Sequence, residues 1–296
     1  MPVAWDQKDR FDDVVYRRDV ERCCKAGMPG VYTGGTSGEF YAQEFDEFKE
    51  VTKATVSVCR KNDVPSMIGC TATYTRGVLR RAEFAAECGA QAIQVALPFW
   101  MEVGDAQVVP FFRDAASAAP ELALSVYETR RTKKVLTLDQ HRRIKDAVPA
   151  YLMVKSNDGT LGNSPEGCGQ LSEFLNVFTG EDRWIDLQAS GVLGSCSSLV
   201  YWSPKFILDY WSAIMAKDVR AFTAAGADVH ALFIHLNESL AGRDFTDSAI
   251  DRLGGTATGF LAAGLNCRAP YPAATAQDVA DLRKWMQQNS PKMLEI

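Results

Sequence analysis

The sequence predicts an α/β protein, a closed (β/α)8 barrel of the TIM type followed by a helical C-terminal extension. Three observations carry that prediction. Short apolar runs of strand length alternate with longer segments of helical period, eight such runs can be marked, and the strand signal stops at Pro204. Repeated alternation implies parallel strands with covering helices, because a parallel pair needs a long crossover. Eight units suit a closed barrel better than an open sheet, whose Gly-x-Gly-x-x-Gly turn after the first strand is absent.

The strand-length runs are 3–5, 30–33, 66–70, 92–97, 122–127, 151–155, 177–179 and 192–196. The first begins almost at Met1, so either the first stave is short or part of a natural N-terminus lies upstream. Between the runs, segments 44–60, 75–87, 106–118, 138–146 and 165–175 carry apolar residues at three-to-four spacing, the period of a helix with one buried face. From Pro204 onward, 205–216, 219–238, 246–263 and 276–288 read as helices. Breaks fall at Gly242-Arg243, Cys267-Arg268-Ala269-Pro270 and Pro272, and Thr275 is positioned as the N-cap of the last helix. The expected division is a barrel over 1–203 and C-terminal helices over 204–296, the latter including the last barrel helix, with no low-complexity linker between them.

Composition narrows the function classes. The 296 residues, 47% of them hydrophobic, supply ample apolar material for such a core. A formal charge of −5 argues against a nucleic-acid footprint or a polybasic membrane surface, both of which need clustered positive charge. No apolar stretch approaches bilayer-spanning length, and the start Met1-Pro2-Val3-Ala4-Trp5-Asp6 lacks a basic flank and a long apolar region, so the expected location is cytoplasmic. The eight cysteines contain no Cys-x-x-Cys pair and read as reduced, mostly buried thiols. His230 and His235 lie five apart, His141 is remote in sequence, and neither arrangement completes a ligand set, so no metal site is expected.

Barrel chemistry sits at the carboxyl ends of the strands, which directs attention to four of them. The sixth run ends in Lys155, directly after an apolar stretch. Taken alone such a lysine snorkels into water; held among apolar neighbours it loses its proton more readily and becomes a nucleophile for a carbonyl. The fifth run ends in Tyr127, a phenol suited to proton relay, followed by Arg130 and Arg131, which either pair with a carboxylate or belong to a solvated loop. The second run enters Gly34-Gly35-Thr36-Ser37-Gly38-Glu39, either an anion cradle of hydroxyls and backbone N–H groups or a flexible turn. The fourth ends in Leu97-Pro98-Phe99-Trp100, aromatics that line a pocket or pack beneath a loop. An amine, a phenol, two hydroxyls and an anion cradle on one barrel form the set that Schiff-base chemistry needs. The amine attacks a 2-keto carbonyl, a proton relay expels water, and the imine serves as electron sink.

These residues resemble the dihydrodipicolinate synthase and N-acetylneuraminate lyase superfamily of class I aldolases over nearly the whole chain. Gly35-Thr36-Ser37-Gly38-Glu39 is similar to that family's Gly-Thr-Thr-Gly-Glu carboxylate-binding loop. Tyr127 matches its catalytic tyrosine, Lys155 its Schiff-base lysine, and Gly180-Glu181-Asp182 its Gly-Asp-Asp run; residues 192–198, with Ser195, resemble its eighth-strand segment. The resemblance implies Lys155, Tyr127 and Thr36 as catalytic residues, with Gly35, Ser37 and Ser195 around the substrate, and Trp100, Arg130 and Arg131 join the substrate-binding candidates from their places after the fourth and fifth runs. It also implies a small 2-keto acid as partner, no cofactor beyond the covalent imine with Lys155, and a homotetramer. The chain departs from the lysine-pathway synthases: Pro98-Phe99-Trp100 replaces Pro-Tyr-Tyr, Tyr127-Glu128-Thr129-Arg130 replaces Tyr-Asn-x-Pro, and Thr132 stands where their arginine follows the tyrosine. Two stretches resemble instead the hydratase-aldolases of benzylidenepyruvates. Pro98-Phe99-Trp100-Met101 is similar to their Pro-Met-Trp, and Ala263-Gly264-Leu265-Asn266-Cys267-Arg268-Ala269-Pro270-Tyr271 to their Ala-Gly-Pro-Cys-Arg-Pro-Pro-Tyr, whereas Lys155-Ser156-Asn157 does not copy them.

The expected function is therefore a class I aldolase or lyase acting on pyruvate or a related 2-keto acid, with an aryl-substituted keto acid suggested by Trp100. A keto-acid dehydratase or deaminase of sugar-acid or hydroxyproline breakdown and a dihydrodipicolinate synthase are the enzymatic alternatives; a non-catalytic metabolite-binding barrel is the alternative of another class.

Overall fold

The run 3–5, expected as the first strand, makes only an isolated antiparallel bridge between Trp5 and Phe11 in the computed structural model, which describes residues 1–296. Its carbonyls are occupied elsewhere. Val3 O accepts from Arg252 Nη2 at 2.5 Å and Ala4 O from the Asp12 N–H at 2.9 Å, which leaves no row of acceptors for a ladder. Seven strands form, and the chain separates into two units, Met1–Pro65 with Ser197–Ile296, and Ser66–Cys196.

The first unit opens with α1 (Asp13–Lys25), β1 (Val31–Thr33) and α2 (Phe45–Lys61). Helix α1 lies outside the predicted helices because Arg17, Arg18, Asp19, Glu21 and Arg22 crowd its apolar stripe. It nevertheless buries Tyr16, Val20, Cys23 and Cys24 and starts where the Asp12 carboxylate accepts from the Val15 N–H at 3.0 Å. The buried Tyr16 hydroxyl lies 2.7 Å from Thr33 Oγ1 and 2.8 Å from Thr55 Oγ1, tying α1, β1 and α2 through one oxygen. Helix α2 begins with a capping box of Glu44 and Glu47 and buries Phe48, Val51, Ala54 and Val58.

The second unit alternates strand and helix throughout: β2 (Ser66–Gly69), α3 (Thr75–Cys88), β3 (Ala92–Val95), α4 (Asp105–Ser117), β4 (Ala123–Glu128), α5 (Leu138–Ala147), β5 (Tyr151–Ser156), α6 (Pro165–Ser172), β6 (Asn176–Phe178), α7 (Trp184–Leu187) and β7 (Val192–Gly194). Each strand from β2 to β7 pairs with the next in parallel, as the alternation requires. Ile68, Ile93, Leu124, Val126, Val154 and Val177 from the strands, with Phe112, Ile144 and Leu171 from the helices, are fully buried; each such side chain stabilises by roughly 1.5–3 kcal/mol.

Helices α8 (Pro204–Met215), α9 (Val219–Ser239), α10 (Asp247–Thr258) and α11 (Ala276–Asn289) complete the first unit. Helix α10 stops short of the predicted residue 263 because Gly259 adopts φ +84° and turns its N–H onto the Gly255 and Thr256 carbonyls. The chain beyond it is held by side chains. Asp19 accepts from the N–H groups of Ala262 and Ala263, and Arg268 pairs with Glu47 at 2.5 Å and lies 3.7 Å over the Trp5 ring. Thr275 caps α11 as expected, in a reciprocal box with Asp278. No helix is long and apolar enough to cross a membrane.

Candidate active site

Side chains alternate faces along a strand, so Ser125 and Tyr127 of β4 share one face while Leu124, Val126 and Glu128 share the other. Strand β5 joins that pattern through a register shift. Leu124 pairs with Tyr151, but Ser125 pairs with Met153, which leaves Leu152 as an extra, half-exposed residue. Such a bulge reverses the facing of every later residue in the strand. Tyr151 points with Leu124 toward α5, whereas Met153 and Lys155 point with Ser125 and Tyr127 to the opposite face. Without the bulge Lys155 would face the same way as Tyr151, among the covering helices.

On the shared face, Tyr127 and Lys155 are direct cross-strand partners, and Lys155 Nζ lies 4.3 Å from the centroid of the buried Tyr127 ring. Asn157 Nδ2 donates to the Tyr127 hydroxyl at 3.0 Å. The residue is itself fixed, its N–H donating to Glu128 O at 3.2 Å and its carbonyl accepting from the Thr160 hydroxyl at 2.6 Å. One layer down, Gln94 of β3, fully buried, donates from Nε2 to Ser125 Oγ at 3.0 Å. Burial raises the Cys196 thiol above its ordinary value, and the charge of Lys155 and the amide of Gln94 pull it partly back.

The opposite face carries a buried polar chain. His141 of α5 has Nε2 3.1 Å from Glu128 Oε2 and Nδ1 2.8 Å from Tyr151 Oη, while the Leu136 N–H donates to Glu128 Oε1 at 2.8 Å. Burial first, and the Glu128 charge second, hold the Tyr151 phenol well above its ordinary value. This chain locks the end of β4 to α5 and to the loop after Thr129.

The remaining anticipated residues have these surroundings. Trp100 is 74% exposed on the loop after β3, where Lys133 Nζ donates to its carbonyl at 2.5 Å and sits 5.9 Å over its ring. Arg130 and Arg131 are exposed in a short 3-10 turn. The side chain of Arg130 lies against Gly159, where φ is +72° and an added Cβ would come within 2.6 Å of its Cδ. The Ser195 hydroxyl donates to the buried Glu181 carboxylate at 3.0 Å. Burial and then Glu181 raise the neighbouring Asp182 carboxyl above its ordinary value. In the first unit, Gly35, Thr36 and Ser37 form a tight turn rather than a loose loop. The Gly38 and Glu39 N–H groups donate back to Gly35 O and Thr36 O, and Ser37 O accepts from Ser248 Oγ at 3.0 Å. At Gly35 an added Cβ would come within 2.6 Å of the Tyr32 hydroxyl, so a larger residue there would force that ring to move.

Two sequence features have structural duties. Glu39, the last residue of the Gly-Thr-Ser-Gly-Glu motif, is fully buried and accepts from Trp5 Nε1, Arg252 Nη2 and the Arg268 N–H. The segment 263–271 anchors through the Ala263 N–H to Asp19 and through Arg268 to Glu47. All eight cysteines are free, six of them buried, and no group of three His, Cys, Asp or Glu side chains is arranged to hold a metal ion. Sequence reasoning missed Asn157, Gln94 and the Glu128–His141–Tyr151 chain. Asn157 shares a face with Tyr127 only through the bulge at Leu152, which leaves no mark in periodicity, and Gln94, Glu128 and His141 find their partners on other elements.

A sequence model of the dihydrodipicolinate synthetase family matches residues 1–242. The 4-hydroxy-tetrahydrodipicolinate synthase of Thermus thermophilus is 24% identical over 237 residues, 79% of this chain and 77% of that protein. The trans-O-hydroxybenzylidenepyruvate hydratase-aldolase of Pseudomonas aeruginosa is 34% identical over 110 residues, a span of 37% of this chain and 33% of that enzyme. Among solved structures, a prophage protein of the dihydrodipicolinic acid synthase family from E. coli K12, in complex with pyruvate, aligns over 97% of this chain and 95% of its own, with a TM-score of 0.85 and 17% identity. That likeness is one of fold, and the fold is the α/β barrel class with a C-terminal helical extension that the alternation predicts.

Proposed function

This chain belongs to the dihydrodipicolinate synthetase family, and from that premise we propose that it is a class I aldolase or lyase whose Lys155 forms a Schiff base with pyruvate or a related 2-keto acid. The observation that carries the reading is the cross-strand pair itself, an amine held 4.3 Å from the ring of a buried phenol whose oxygen is oriented by an amide. In this reading the neutral Lys155 amine adds to the C2 carbonyl, and a proton passes from nitrogen to oxygen to give a carbinolamine. Tyr127 then gives its phenolic proton to the departing hydroxyl. Water leaves, and a phenolate remains beside the iminium. The phenolate takes the proton of a C4 hydroxyl, the C3–C4 bond breaks with its electrons drawn into the iminium, and an aldehyde departs from the enamine. Protonation at C3 and hydrolysis return pyruvate and the free amine. Thr36 and Ser37, with Gly35, take the carboxylate-holding role that the family resemblance assigns to them.

Trp100 supports an aryl-substituted keto acid as substrate, since an exposed indole offers a flat apolar wall. The local 34% identity to a hydratase-aldolase supports the same subgroup. A homotetramer is proposed on the family resemblance, and light scattering measures it. The test of function is borohydride reduction with pyruvate followed by peptide mapping, in parallel with turnover of an aryl-substituted keto acid and of a deoxy sugar acid. Label on Lys155 and preference for the aryl compound are expected. Absence of label ends the Schiff-base reading, and preference for the sugar acid transfers the assignment to a dehydratase.

A further inference from the structure

We infer that Asn157 is a positioning residue for Tyr127, setting the phenol as the proton donor of the imine-forming step; this rests on the Schiff-base reading. Three observations lead to it. The amide nitrogen donates to the phenol oxygen at 3.0 Å, so one lone pair of that oxygen is occupied and its hydrogen must point to a different acceptor. The amide cannot drift, because the Asn157 N–H is fixed on Glu128 O and its carbonyl takes both the hydroxyl and the N–H of Thr160. Lys155 Nζ lies over the ring of the same tyrosine, so Lys155 near the end of β5 and Asn157 two residues later both meet the one phenol of β4.

The chemistry at stake is proton direction. When the carbinolamine loses water, the Tyr127 O–H bond breaks, its proton goes to the leaving hydroxyl, and the electron pair stays on the phenol oxygen. An N–H aimed at that oxygen strengthens as negative charge develops and needs no reorganisation at the moment of transfer. A side chain that accepted from the phenol would do the reverse, drawing away the proton the step requires. Asparagine and aspartate are nearly the same size, so the two roles can be separated without disturbing the packing.

The experiment measures the rate of pyruvate trapping by borohydride, kcat and KM in the wild type, Asn157→Asp, Asn157→Ala, Tyr127→Phe and the double variant Asn157→Asp/Tyr127→Phe, with thermal midpoints for each. Asn157→Asp is expected to slow trapping and kcat by about tenfold or more with little change in KM, and Asn157→Ala by less. In the Tyr127→Phe background the aspartate is expected to change the rate by less than about twofold, because the group it orients is gone. Wild-type rates in Asn157→Asp, or an equal loss with and without the Tyr127 hydroxyl, overturn the assignment; Asn157→Ala decides the matter if the aspartate variant does not fold. A wild-type protein that traps no pyruvate overturns the Schiff-base reading and this inference with it, whereas intact trapping with an indifferent Asn157 removes only the latter.

Discussion

Lys155 Nζ stands 4.3 Å from the centroid of the Tyr127 ring, and the two residues are paired directly across β4 and β5. The separation brings the amine close to the phenol face while leaving each attached to a different strand, so their relative position is set by sheet hydrogen bonds rather than by a loop. Lys155→Met, similar in length and without the amine, is expected to keep the thermal midpoint within about 4 °C of wild type while abolishing pyruvate labelling. Tyr127→Phe is expected to retain the fold and lower kcat by about 10²–10⁴-fold, the range typical of a lost general acid. Labelling of Lys155→Met at another lysine would show that the nucleophile has been misassigned.

Glu39 and Arg252 form a different kind of pair, 2.7 Å apart with both side chains fully buried. Removing one partner leaves an uncompensated charge in the interior, and Glu39→Ala also strips acceptors from Trp5 Nε1 and the Arg268 N–H. A loss of about 3–5 kcal/mol in urea unfolding is expected. Glu39→Gln, which keeps an acceptor oxygen, should lose less. An Ala variant of wild-type stability would contradict the structural role given to this glutamate.

The candidate residues Tyr127 and Lys155 are picked out in the chain because they lie at the ends of apolar runs. Tyr127 and Lys155 stand one residue before the ends of β4 and β5, which puts both near the carboxyl edge of the parallel sheet, while the bulge at Leu152 decides the face that Lys155 takes. Glu39 is harder: it stands in a Gly-rich motif that suggests anion binding, and only the three-dimensional arrangement reveals that Trp5, Arg252 and Arg268 converge on it. Residues 3–5 mislead for a physical reason, since an apolar run is equally compatible with a strand and with a segment whose carbonyls are claimed by Arg252 and Asp12. Asn157 is invisible in the sequence because its partner Tyr127 lies thirty residues earlier and the bulge at Leu152 decides which face both share.

The Arg243–Asp278 pair gives a pH dependence with a definite sign. Arg243, and after it the N–H and hydroxyl of Thr275, hold the Asp278 carboxyl below its ordinary value of 3.8. A carboxyl whose folded value is depressed contributes stability that is complete above the unfolded value and is lost as pH falls through the folded one. Wild type is therefore expected to lose stability as pH drops below about 4, with the start of α11 loosening first, and Asp278→Asn should flatten that slope while being less stable at pH 7. Urea midpoints measured from pH 7 down to pH 3 check this, and parallel curves for the two proteins would refute it.

Trp100 tests substrate choice without disturbing the core. Its side chain is 74% exposed, so Trp100→Ala is expected to change stability by no more than about 0.5 kcal/mol. An aryl substrate that stacks on the indole loses that surface in the variant, and kcat/KM for the aryl-substituted keto acid should fall by about 10–200-fold, the range for one hydrophobic contact in a specificity pocket. Pyruvate, which carries no aryl group, should be trapped at Lys155 at an unchanged rate. The contrast between the two is the informative quantity: equal losses would mean that Trp100 supports the site as a whole, whereas no loss for either would detach the indole from substrate recognition and leave Lys133, over its ring and on its carbonyl, as its principal partner.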